Sequence, residues 1–115
     1  MKTAVAKGQE LEQYVADQIR AKGLDVRAKP ARGSGSTNSE KADIWTSLMI
    51  LGQNAGIECK NHKTIHIPEW WLQTRKLQSL GREPVLVYKL EHSPMGDTLC
   101  TIYLDTLLEL VKNQK

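Results

Sequence analysis

Residues 42–60 read ADIWTSLMILGQNAGIECK, and the way this stretch folds decides the architecture. Two apolar runs flank a Gly/Gln/Asn segment, the pattern of a β-hairpin whose side chains alternate between two faces. In the second run Glu58 and Lys60 share one face, while Ile57 and Cys59 share the other. A carboxylate and an ammonium placed this way form either a solvated strand edge or half of a metal site. Asp43 opens the first run, so Asp43, Glu58 and Lys60 meet at one end of the hairpin. For Asp43 to lie across from Lys60, the turn must centre near Leu51 and Gly52 rather than nearer Asn54, as the GQNAG composition suggests; a bulge also reconciles the two.

Upstream, Leu11, Val15 and Ile19, flanked by Tyr14 and Ala16, recur at helical spacing until Gly23 ends the helix. Glu12 shares this apolar stripe, whereas Glu10 and Asp17 fall nearer its side. An acid on the stripe needs a partner or a metal, or else reaches solvent at the rim. LDVRAKP (24–30) reads as a short strand and ARGSGSTNSEK (31–41) as a loop that is either a phosphate-contacting flap or a plain connector. It is not a Walker loop, because no Gly-Lys-Ser/Thr closes it.

Downstream, a second helix starts near Pro68 and Glu69, presents Ile67, Trp70, Trp71, Thr74 and Leu77 on one face, and closes at Gly81. PVLVYKL and TLCTIYL read as strands around the turn EHSPMGD, and DTLLELVKN as a terminal helix. The expected fold is α/β in the order αβββαββα, a mixed central sheet flanked by helices.

A chain of 115 residues fits one domain, 1–115, with one proper core. No run approaches about 18 apolar residues and the N-terminus turns polar quickly, so neither a membrane span nor a signal peptide is expected. Cys59 and Cys100 both lie in apolar runs and suit a reducing compartment without a disulfide. The expected location is cytoplasmic.

The net charge of +3 is unevenly spread: residues 20–41 hold six basic and two acidic side chains, and residues 60–82 hold five basic and one acidic. Such concentrations attract phosphate backbones, making nucleic acid the first partner to consider beside an ordinary basic surface. Arg27, Arg32 and Lys63 belong to these segments. The acids then acquire a purpose. Hard oxygen ligands from Asp43 and Glu58 suit Mg²⁺, which polarises a phosphate and lowers the pKa of a bound water. Lys60 can orient that water or stabilise charge developing on the phosphate oxygens.

Asp43, fourteen intervening residues and Glu58-Cys59-Lys60 resemble the D…ExK signature of the restriction-endonuclease-like, PD-(D/E)XK, nuclease superfamily. Together KGQELEQYV at 7–15, ARGSGS at 31–36, ADIW, IECK and GREPVLVYK at 81–89 resemble archaeal-type Holliday junction resolvases and their phage-encoded relatives. The resemblance covers most of residues 5–90, with Ala42 where the family usually has Pro. It implies a metal-dependent, structure-specific endonuclease cutting branched DNA, the four-way junction, as a homodimer with two related active sites. It maps a metal-binding glutamate onto Glu12 beside Asp43 and Glu58, with Lys60 assisting the water. A catalytic serine maps onto Ser34, with Ser36 and Arg32 on the DNA backbone. Gln73 occupies a place that related nucleases sometimes bring near the metal. Mg²⁺ is the implied cofactor, with Mn²⁺ able to substitute.

Other readings are a nuclease of the same fold acting on nicked, flapped or linear duplex DNA, and a non-catalytic DNA-binding module. A pure binder has no evident need for acids facing phosphates. Zinc on Cys59, His62 and Cys100 is disfavoured, since a structural site needs four ligands and Cys59 faces away from the acids. Trp70 and Trp71 lie about 100° apart on a helix and read as core, or as a subunit anchor where exposed.

Overall fold

The computed structural model describes residues 3–31 and 42–114. Helix α1 (Ala4–Ala21) starts at Thr3, whose hydroxyl accepts the Ala6 N–H at 3.1 Å, and so satisfies one of the donors that a helix start leaves open. It ends in a Schellman turn. Gly23 adopts a φ of 71°, its N–H donates to Arg20 O, and the Leu24 N–H donates to Ile19 O.

The strands are β1 (Lys29–Pro30), β2 (Ile44–Trp45), β3 (Met49–Ile50), β4 (Gln53–Lys60), β5 (Arg82–Tyr88) and β6 (Leu99–Thr101). β1 and β2 form an antiparallel pair, and the main sheet runs β3-β4-β5-β6. Among the described residues only β4 and β5 are parallel, with Ile57 opposite Val85 and Lys60 opposite Tyr88. Their crossover contains α2 (Ile67–Thr74), which tightens into a 3-10 turn over Arg75–Leu80 and stops at Gly81 with φ 76°. Helix α3 (Leu104–Lys112) follows β6.

A mixed sheet with helices is therefore what the patterns led one to expect, but two strands differ. The segment expected as one strand over 42–51 is two, β2 and β3, so among the described residues three two-residue strands and the longer β4 precede α2. Asp25 explains the break. Its Oδ2 accepts from Thr46 Oγ1 at 2.6 Å and Ser47 N at 2.9 Å, which draws the chain out of the ladder. Its Oδ1 accepts the Arg27 N–H, an Asx turn that also shortens the strand expected over 24–30 to Lys29–Pro30.

The hairpin turn does centre on Leu51 and Gly52, both at positive φ (50° and 85°), with Ile50 opposite Gln53. This is the twist-matched geometry of a type I′ turn. Continued inward, that register would set Asp43 against Lys60. After the break the Asp43 N–H donates instead to Ile57 O at 2.8 Å.

Leu11, Ile19, Ile44, Ile57, Cys59 and Val87 pack between α1 and one sheet face, while Trp70, Leu86 and Tyr88 pack under α2 on the other. Trp71 is half-buried against Tyr103. The expectation of Cys100 as a packed thiol is corrected: it lies exposed on edge strand β6, whereas Cys59 is buried and neither is disulfide-bonded. No helix among the described residues is long and apolar enough to cross a membrane.

Gly56 lets the 3-10 turn approach β4. A Cβ there would lie 2.9 Å from Leu77 Cδ1 and 3.1 Å from Arg82 Cβ, an overpacking that costs about 1–3 kcal/mol. Urea unfolding of Gly56→Ala should show that loss. Conversely, Leu51→Asn should stabilise by roughly 0.5–1 kcal/mol, because Asn tolerates the left-handed region better than a half-exposed Leu.

Candidate active site

Asp43 stands where the two sheets meet. The Ala31 N–H donates to its carbonyl at 2.9 Å, and its own N–H donates to Ile57 O, so the backbone is held from both sides. The carboxylate is held too: Oδ2 accepts the Cys59 N–H at 2.8 Å. An aspartate thus takes the place of a ladder carbonyl along the edge of β4.

Glu58, next along β4, is buried to 6 % exposure and lies within hydrogen-bond reach of the Asp43 carboxyl. Alternation places it on the face of Gly56, away from Ile57 and Cys59. Burial pushes the Glu58 pKa up to about 8, and the Asp43 charge adds to the rise while Lys60 opposes it. Burial also raises Asp43, against the Cys59 N–H, the Glu58 carboxyl and Lys60. Two carboxylates this close cannot both ionise cheaply in a desolvated site, so they share a proton.

Glu12 joins from α1. It shares with Asp43 an open cavity of about 320 Å³, walled by Val5, Gly8, Gln9 and Ala31. Burial chiefly pushes up both the Cys59 thiol and Glu58, and the Glu12 charge adds to each rise. Asp43 therefore neighbours both acids, sharing the cavity with Glu12 and a side-chain hydrogen bond with Glu58. Lys60 ends β4 half-buried, and the next residue, Asn61, donates from Nδ2 to Lys7 O at 2.9 Å, tying the end of this strand to the start of α1.

The D…ExK residues therefore come together as their spacing predicts, by a different register. Arg32, Ser34 and Ser36 lie outside the described residues. Arg27 is exposed in the turn after α1, and Gln73 is exposed on α2 without a hydrogen bond to the acids. Lys63 lies in a second cleft, about 410 Å³, together with Lys7, His62, Lys89, Glu91 and His92. Lys7 and Lys89 belong to the segments KGQELEQYV and GREPVLVYK, far from Lys63 in the chain. Their nearness to Lys63 depends on α1 and β5 converging on the end of β4, which no local pattern announces.

The donors fit a hard divalent cation. Two buried carboxylates that must otherwise share a proton lose that conflict when a dication replaces it. Among the described residues no three His, Cys, Asp or Glu side chains converge as a ready metal cage. A dication bound here would take Asp43 and Glu58 as its core donors, with Glu12 alongside and the remaining positions left to water or phosphate, as Mg²⁺ ordinarily accepts.

The sign of the pH effect follows from the raised pKa. In the metal-free protein Glu58 holds a proton that the unfolded chain would release near 4.5. Its contribution to stability is present below that value and is lost as pH rises through about 8. The urea midpoint of the metal-free wild type should therefore fall between about pH 5 and pH 8.5. Glu58→Gln should flatten this decline and be more stable than wild type at the upper pH.

The model of a family described as "Phage putative PDDEXK endonuclease" matches residues 3–115. No curated protein and no solved structure matches significantly. With Asp43, Glu58 and Lys60 assembled at the end of β4 and nearly the whole chain covered by that match, the chain belongs to this phage family of the PD-(D/E)XK nuclease superfamily.

Proposed function

We propose that this endonuclease is metal-dependent and structure-specific, cutting branched DNA, above all the four-way junction, as a homodimer in the cytoplasm of the infected cell. The observation that carries the metal-dependent reading is the buried Asp43–Glu58 pair with Lys60 at its end. The preference for a junction rests on the likeness of residues 5–90 to the junction resolvases.

Asp43 and Glu58 would hold the cation, Mg²⁺ or in its place Mn²⁺, with Glu12 supporting them. When bound, the cation supplies a water of lowered pKa and neutralises charge on the scissile phosphate. The Cys59 N–H fixes the Asp43 carboxylate in place, so that it need not reorganise when substrate arrives. Lys60 Nζ donates to the attacking water or to a phosphate oxygen. Lys7, Lys63 and Lys89 in the neighbouring cleft engage the flanking backbone, with Arg27 and Gln73 further out. Arg32, Ser34 and Ser36 keep the roles that the resemblance gives them. Binding through these cations weakens steeply with salt.

The decisive assay compares a labelled four-way junction with a linear duplex of the same sequence, in Mg²⁺ and in EDTA. Wild type should place paired nicks at the junction only with metal. Asp43→Asn and Glu58→Gln should lose about 10²–10³-fold in cleavage, and Lys60→Ala about 10²-fold, with binding retained. Equal cutting of both substrates would leave a nuclease of this fold without junction preference. A wild type that cuts neither, in Mg²⁺ or Mn²⁺, would sink the catalytic reading.

A further inference from the structure

Helix α3 is attached to the body by its polar side. Thr106, its buried residue, donates from Oγ1 to Glu83 Oε2 at 3.1 Å. Just before it, Tyr103 donates to Gln78 Oε1 at 3.1 Å and packs edge-on against Trp71. At 100° per residue, Leu104, Leu107, Leu108 and Val111 fall within an arc of about 100°, centred some 150° around from Thr106. They face outward, exposed by 69, 46, 55 and 57 %. A nine-residue helix that turns its leucines to solvent and its threonine to the core is oriented for a partner.

We infer that this face docks against α3 of a second copy of the chain, the two helices antiparallel about a two-fold axis. Positions 104, 107, 108 and 111 form the seam of a short helix pair. Asp105 and Lys112 lie together on one flank of it, near opposite ends of α3, and neither makes an ion pair within the described residues. In an antiparallel two-fold pair, equal flanks meet with their ends exchanged. Asp105 of each copy then faces Lys112 of the other, twice per dimer, and the helix dipoles oppose each other favourably. A parallel arrangement creates neither pairing. A membrane suits the face poorly, because interfacial helices carry mainly Lys and Arg on their polar side, whereas α3 carries Asp105 and Glu109 against Lys112.

The seam is only about 14 Å long, smaller than the roughly 800 Å² per partner of a standard interface. The segment tied to Tyr103 also exposes Leu72 and Leu80. The dimer is accordingly weak, dissociating in the micromolar range, and DNA spanning both active sites tightens it by linkage. The inference rests on the paired-site reading for the purpose of the dimer, but not for its geometry.

Sedimentation equilibrium from about 1 to 100 μM tests this, with circular dichroism confirming the fold of each variant. Wild type should dimerise and Leu108→Glu should not. Asp105→Lys and Lys112→Asp should each weaken the dimer about tenfold, and the two combined should restore it, because the reversed charges pair again. Single reversals that weaken the dimer without rescue in the combination overturn the antiparallel register. A dimer indifferent to every substitution overturns α3 as the interface and leaves the paired-site reading standing. A wild type monomeric throughout overturns the inference, and co-sedimentation with phosphatidylglycerol vesicles would then assign the face to a membrane. If that monomer still makes paired nicks in a four-way junction, the paired-site reading falls as well.

Discussion

Three groups of Asp43 hold the architecture and the chemistry at one point. Its carbonyl and N–H join Ala31, just after β1, and β4 on either side, and its carboxylate takes the Cys59 N–H that a neighbouring strand would otherwise have claimed. A buried N–H without an acceptor costs about 1–3 kcal/mol, so the carboxylate satisfies the sheet edge as well as facing the site. The break between β2 and β3 is what frees it to do so, since in an unbroken hairpin register Asp43 would stand across from Lys60, beyond the reach of the Ile57 carbonyl.

The same arrangement sets function against stability. Glu58 lies on a strand whose neighbours Ile57 and Cys59 are core, and an apolar or amide side chain would sit there at less cost than an acid. The acid is tolerated because a proton shared with Asp43, or a cation in its place, compensates the burial. Strain of this kind is characteristic of sites that must hold charge ready for a reaction.

Much of this was legible in the sequence because it is local or periodic. The α1 stripe, the glycine stops at Gly23 and Gly81, the alternation of IECK and the apolar run of β5 each declare their element, and the spacing from Asp43 to Glu58 declares the site. What was not legible depends on partners distant in the chain. Asp25 captures Thr46 and Ser47, a tertiary bond that overrides the strand propensity of ADIWTSLMIL. Cys100 is apolar by its neighbours but exposed because β6 is an edge strand. Lys7 and Lys89 line a cleft with Lys63 only after α1 and β5 have converged on the end of β4.

β4 and β5 run parallel in the main sheet, so both strands finish at the same edge, where Lys60 and Tyr88 stand opposite each other. The chain leaves this edge twice, through residues 61–66 and 89–98. In open sheets the carboxyl ends of strands are where ligands are met, and the loops leaving them vary most freely. The side chains of both segments lie beyond the last β4–β5 pair, Lys60 and Tyr88. Descendants of this fold can therefore diverge in the DNA they grip while inheriting the same cut.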